Sequence, residues 1–210
     1  MSDLTTILCY GDSNTWGYNP ADGSRFAHHV RWPGILRTEL GAGYWVIEEG
    51  LSGRTTVWDD PIEGYKNGRD YLIPCLATHK PLDMVIIMLG TNDLKMRFSL
   101  SAWDIAEGAG VLVDIVQGSD AGRDGRPPRV LLIAPPPVAM LTDFAAMFSG
   151  AREKSRQFGA EYRRVAAARG CPLLDAGEVI ISSDLDGVHF DAREHAKLGR
   201  TIAGRVQELL

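Results

Sequence analysis

Residues Met84–Asp93 read MVIIMLGTND, and this stretch decides the fold. Its first six residues, Met84–Leu89, form a continuous apolar run of strand length. Half-buried strands alternate polar and apolar residues, whereas a strand covered on both faces is apolar throughout, as in parallel α/β sheets. The run breaks at Gly90 into the polar Thr91-Asn92-Asp93, so the strand ends abruptly and delivers small polar residues at its carboxyl end.

Working outward, the same signal recurs. Arg129–Ala134 (RVLLIA) is a second buried strand. Thr5–Tyr10 (TTILCY), Trp45–Glu48 (WVIE) and CPLLDA near residue 173 are the remaining strand candidates. Helical patterns lie between them. Arg31–Leu40 places Ile35, Leu36 and Leu40 on one side, and Tyr71–His79 carries Pro74 as a kink or first-turn residue. Ser101–Gln117 has Ile105, Ala109, Leu112 and Val116 near one stripe, and Lys154–Ala168 is read as one helix. The last helix is expected to open with a capping box, Asp191 with Glu194, and to bury Leu198, Ile202, Val206 and Leu209. Strands alternating with helices predict an α/β fold: a three-layer, doubly wound, flavodoxin-like sheet of about five parallel strands. No repeat or linker divides residues 1–210, which are read as a single domain. Pro135–Gly150 (PPPVAMLTDFAAMFSG) starts with a proline run and ends with apolar residues that need something to cover, as a lid or a subunit contact would.

Composition narrows the function. The 210 residues are 45% hydrophobic and 23% charged, ordinary globular material. A net charge of −5 with no Lys/Arg block opposes nucleic-acid binding. Cys9, Cys75 and Cys171 are odd in number and widely spaced, which suggests reduced, mostly buried thiols rather than disulfides or a zinc knuckle. MSDLTTILCY lacks the basic and long apolar regions of a signal peptide, and no run is long enough for a membrane helix. The expectation is a cytoplasmic protein with no membrane partner. His28-His29 are read as solvated loop residues and His195 as a helix-surface residue, with no metal set and no cofactor implied.

In open parallel sheets, ligands bind beyond the carboxyl ends of the strands. Gly11-Asp12-Ser13 follows the first strand, and Ser52, Gly53 and Arg54 follow the second. Asn92 and Asp93 follow the third, and Asp186 and His189 (DLDGVHF) come after the fifth. Each has an ordinary reading alone: Ser13 as a helix cap, Gly53 and Asn92 as turn residues, Asp186-Gly187 as a turn, His189 as a surface histidine. Together they meet a specific demand. A serine hydroxyl needs a base, the base needs a carboxylate to fix its tautomer, and an oxyanion needs donors already in place. Ser13, His189 and Asp186 fill the first three roles. The Ser13 and Gly53 N–H groups and the Asn92 side-chain amide fill the oxyanion hole. Trp16 and Tyr18, close behind Ser13, are candidate substrate-binding walls. Asp12 and Asp93 read as residues that hold turns, and Arg54 as a partner for an anionic substrate or a neighbouring carboxylate.

These blocks resemble the SGNH hydrolases, the GDSL esterase family. Its four named residues match Ser13 in GDSN, Gly53 in GLSGRTT, Asn92 in GTND and His189 in DGVH, in the family's order from Gly11 to His189. Asn14 stands where the family's name-giving Leu is usual. VIEEGLSGRTT, KPLDMVIIMLGTND and DGVHF are similar to a bacterial aryl-esterase subgroup with acyltransferase and perhydrolase activity. That resemblance implies short-chain or aryl esters as small-molecule substrates, and a homo-oligomer whose loops narrow the entrance. A carbohydrate O-deacetylase using the same residues is the alternative enzyme. A binding module on an inactive hydrolase scaffold is the non-enzyme alternative, opposed by the presence of Ser13, Asp186 and His189. No GxxxxGK[ST], and no GxGxxG after a strand, supports nucleotide binding.

Overall fold

The computed structural model describes residues 4–210, so the signal-peptide reading rests partly on residues 1–3, outside the described residues. Five strands pair in parallel in the order β2-β1-β3-β4-β5. They are β1 (Thr5–Gly11), β2 (Tyr44–Gly50), β3 (Met84–Met88), β4 (Arg129–Ala134) and β5 (Leu173–Asp175). This is the flavodoxin-like order, with its switch point between β1 and β3.

Alternation along the strands separates two cores. Leu8, Tyr10, Val85, Ile87, Val130 and Leu132 point to one face. There they meet α3 (Gly68–His79), α4 (Ala102–Gln117) and α6 (Phe158–Arg169). Ile7, Cys9, Met84, Ile86, Leu131 and Ile133 point to the other, against α2 (Trp32–Leu40) and α7 (Ala192–Leu209). All five β3 residues are buried, as MVIIM requires of a strand covered on both sides. The sheet is therefore the middle of three layers. Among the described residues, no helix is long and apolar enough to cross a membrane.

Four local readings change. The helix expected over Lys154–Ala168 is two helices, α5 (Ala151–Ser155) and α6, interrupted at Arg156 and Gln157. Pro74 lies inside α3, because that helix starts at Gly68 after an Asn67 cap whose side chain accepts from Arg69 N–H at 3.0 Å. Asp191 is the N-cap of α7 but makes no side-chain capping bond. Glu194 instead accepts from Ile181 N–H at 3.2 Å and from Lys197 Nζ at 2.6 Å. A reciprocal capping box does form at α4, between Ser101 and Asp104. His195 is fully buried rather than on the helix surface, and its Nδ1 accepts from Trp32 N–H at 3.3 Å. The three cysteines are free, with Cys9 and Cys75 buried.

Candidate active site

The turn after β1 is built for close approach. A Cβ on Gly11 would fall 2.0 Å from Thr15 Oγ1, so only glycine lets β1 pass directly into the turn. Asp12 caps the four-residue helix α1 (Ser13–Trp16), its Oδ1 accepting from Asn14 N–H at 2.9 Å. Ser13 is then the first helical residue, so its own N–H has no partner within the helix. Asn14, in the position where Leu is usual, is buried and its side-chain amide reaches Val188 O at 3.4 Å.

Ser13 meets a residue 176 positions away: its Oγ lies 2.9 Å from His189 Nε2. His189 Nδ1 lies 2.6 Å from Asp186 Oδ2. The other carboxylate oxygen, Oδ1, accepts from Val188 N–H at 2.8 Å and His189 N–H at 2.9 Å. One oxygen of Asp186 therefore shapes the loop while the other orients the imidazole. This geometry assigns the Nδ1 proton to the Asp186 bond and leaves Nε2 to accept from the Ser13 hydroxyl. Burial pushes the Asp186 carboxyl up, but the His189 ring and the two amides outweigh it, and the net shift is downward. Asp186 stays ionised at neutral pH.

The oxyanion candidates come from the next two loops. Leu51 O accepts from Arg54 N–H at 3.0 Å, which closes a turn with Gly53 in its third position at φ +86°. That conformation favours glycine. Asn92 opens a short 3-10 turn after β3, and its Nδ2 donates to Arg54 O at 3.1 Å. One amide hydrogen is thereby anchored and the second is left for the pocket. Asp93, fully buried, accepts from Thr56 N–H at 3.0 Å, so the loops after β2 and β3 are clasped twice. Asp12 and Asp93 serve the turns as expected. Burial pushes the pKa of each up to about 6, against the hydrogen bonds they accept.

Arg54 does not line the pocket that Ser13 and His189 line, and among the described residues it forms no ion pair. It is buried, donates to Gly11 O at 2.9 Å and to Glu49 O, and lies over the Tyr10 ring at 4.2 Å. It ties the ends of β1 and β2 together.

Ser13, Gly53, Asn92 and His189 line one pocket of about 250 Å³. Tyr18 lines it too, stacked on the His189 ring with centroids 4.0 Å apart. Trp16 is not among the lining residues; its ring lies under the Arg25 guanidinium at 5.0 Å. Sequence reasoning missed the rest of the wall. Phe144, Met147 and Phe148 come from the stretch flagged as a lid or contact, and Phe144 meets His189 edge-on at 5.8 Å. Glu63, Lys66 and Lys95 form a polar side, with Lys95 buried and paired to Glu63 at 2.7 Å and Asp60 at 3.5 Å. Apolar residues after a proline run gave a signal for Phe144; nothing in the sequence marked Glu63 or Lys66.

Fold and site together define a class: a parallel α/β sheet whose strand ends hold a serine, an imidazole and a carboxylate hydrogen-bonded in series. Residues 9–197 match the GDSL-like Lipase/Acylhydrolase family, and the chain belongs to it. The chain superposes on the aryl esterase of M. smegmatis with a TM-score of 0.95 and 46% identity, over 99% of this chain and 100% of that one. It superposes on a carbohydrate acetylesterase from Sinorhizobium meliloti with a TM-score of 0.93 and 43% identity, over 98% and 100%. A curated relative, the acetylxylan esterase of Xylanibacter ruminicola, is 25% identical over 98% of this chain. The chain spans 44% of that relative's length.

Proposed function

We propose that this chain hydrolyses small short-chain or aryl carboxylic esters through an acyl-Ser13 intermediate. The observation that carries the reading is the unbroken sequence Ser13 Oγ, His189 Nε2, His189 Nδ1, Asp186 Oδ2, at 2.9 and 2.6 Å, whose Ser13 and His189 line the pocket.

The Ser13 hydroxyl gives its proton to His189 Nε2 as Oγ attacks the ester carbonyl. Asp186 stabilises the imidazolium without taking its proton. The oxyanion rests against the Ser13 and Gly53 N–H groups and the free Asn92 amide hydrogen. On collapse, His189 protonates the departing alcohol. Water, activated by His189, then releases the acid. An alcohol or hydrogen peroxide that enters in place of water accepts the acyl group instead, giving transfer. The small pocket and the aromatic wall of Tyr18, Phe144 and Phe148 support short acyl groups and partial exclusion of water. A homo-oligomer is part of this reading, supported by Met140 and Met147, exposed on the segment that walls the pocket.

A second reading, a carbohydrate O-deacetylase, is favoured by the polar side formed by Glu63, Lys66 and Lys95, which suits sugar hydroxyls. Turnover of p-nitrophenyl esters from acetate to octanoate, beside acetylated xylose and glucose, tests both. Fast hydrolysis of short aryl esters that vanishes in Ser13→Ala supports the first. Preference for acetylated sugars in kcat/KM moves the assignment to the second, and folded protein inactive on every ester overturns both.

A further inference from the structure

Away from the pocket, three side chains of ligand type converge between α3 and the edge strand β2. Cys75 and His79 stand one turn apart on α3 and so share a face. Glu49 comes from near the end of β2. One ligand atom from each, a sulfur, a ring nitrogen and a carboxylate oxygen, lies within 4.8 Å of the other two. His79 Nε2 and Glu49 Oε1 are already 2.9 Å apart. Cys75 is 2% exposed, whereas the His79 and Glu49 side chains are 26% and 20% exposed. The thiol is the floor of the cluster and the other two are its rim. A cavity of about 410 Å³, lined in part by Trp45, Ile47, His79 and Pro81, opens beside it.

The donor set selects among cations. Calcium and magnesium require oxygen ligands, whereas thiolate with imidazole and one carboxylate suits zinc and its neighbours. Bonds of about 2.0–2.3 Å to a tetrahedral zinc place ligand atoms roughly 3.3–3.8 Å apart. The three ligand atoms, within 4.8 Å of one another, lie near that spacing. The charges nearby are also suitable. Arg54 lies over Tyr71 at 5.1 Å and opposes a bound cation, but the Glu49 carboxylate and a Cys75 thiolate together offset it.

We propose that Glu49, Cys75 and His79 form a three-ligand site for a divalent ion of the zinc class, with water in the fourth position. Uptake forms a sulfur–metal bond and sends the Cys75 thiol proton to solvent; no electron is transferred. His79 contributes its ring lone pair, and Glu49 exchanges its bond to His79 for one to the metal. Because the metal binds the thiolate, uptake itself displaces the thiol proton. The groups facing the thiol are Glu49 of β2, Arg54 of the following loop, and Tyr10 of β1. Tyr71, on α3 itself, faces it as well. The ion clasps α3 to β2, apart from the reacting atoms.

The test is titration of chelator-treated protein with zinc against a chromophoric chelator, with cobalt as the spectroscopic probe. The expected result is one ion per chain, release of one proton, a thiolate-to-cobalt charge-transfer band, and a thermal midpoint raised by zinc and not by magnesium. His79→Ala, at the exposed rim, is expected to keep fold and ester turnover while lowering affinity roughly tenfold or more. Cys75→Ala is expected to remove the charge-transfer band. No stoichiometric uptake, or uptake of unchanged affinity in His79→Ala, overturns the site; so does a cobalt spectrum without a thiolate band.

Discussion

The Tyr18 ring lies against the His189 ring, centroids 4.0 Å apart and planes 28° from parallel. The carbonyl of Ser13 holds Tyr18 there: it accepts from Gly17 N–H at 2.8 Å and from Tyr18 N–H at 2.9 Å. Gly17 makes this possible with a left-handed φ of +91°. The residue that presents the hydroxyl thus also anchors the aromatic that braces the imidazole. The phenol oxygen plays no part in that stack, so Tyr18→Phe should keep wild-type kcat/KM on p-nitrophenyl acetate. Tyr18→Ala should lose about tenfold, the equivalent of roughly 1.4 kcal/mol. Equal activity in both variants would show that the stack does not position His189.

Asp186→Asn separates orientation from shape. The Asn side-chain oxygen can still accept from Val188 and His189 N–H, so the thermal midpoint should move little. Its amide would present N–H to His189 Nδ1 and favour the wrong tautomer. By analogy with other serine triads, kcat should fall by about 10⁴. A loss under tenfold in steady-state assays would remove Asp186 from the orienting role.

Asn92→Ala removes the proposed oxyanion donor and the bond to Arg54 O together. We expect kcat to fall by about 10²–10³ with KM changed little, since the interaction matures in the transition state. Stability should fall by only about 1 kcal/mol, because Asp93 still clasps the two loops. If kcat drops only a few-fold, another donor holds the oxyanion.

Burial pushes the His195 pKa down to about 3, helped by the charges of His189 and Arg31. Its Nδ1, where a second proton would go, already accepts from Trp32 N–H at 3.3 Å, and its ring packs edge-on against Phe26 and Phe190. The native state keeps His195 neutral while the unfolded chain protonates it near 6.5. Between those values the unfolded state binds more protons, so this group lowers stability as pH falls from about 6.5 toward 3. The slope is at most about 1.4 kcal/mol per pH unit. Asp12 and Asp93 act oppositely: with native pKa values of about 6, they favour the native state as pH falls through that window. Urea unfolding at pH 7.5 and 5 should therefore show a smaller acid loss in His195→Gln than in wild type. Identical losses would mean that His195 is protonated in the native state.

Legibility followed the range of the interaction. MVIIM and RVLLIA announced buried strands because burial on both faces excludes polar residues, and both were read at their structural boundaries to within a residue. The break between α5 and α6 left no comparable mark. The capping residues of α7 were misread because Glu194 finds better partners in Ile181 and Lys197. The sequence of either capping segment alone cannot weigh that competition. His195 looked exposed because its environment is made by Trp32, Phe26 and Phe190, two of them distant in the chain. Trp16 and Tyr18 looked equivalent; only the left-handed turn at Gly17 sends one to the pocket and the other toward Arg25.

The sequence by itself determined the layered α/β sheet and the residues delivered to its carboxyl edge. Both follow from local rules: apolar runs seek burial, and glycines and short polar residues end strands. Tertiary structure alone decided that Ser13 and His189 lie 2.9 Å apart, that Arg54 ties two strand ends outside the pocket lining, and that Glu63, Lys66 and Lys95 form one side of the pocket. It also brought Glu49 to Cys75 and His79. Those contacts join segments far apart along the chain, and their geometry is fixed by how the strands register and the helices pack, which no single stretch encodes.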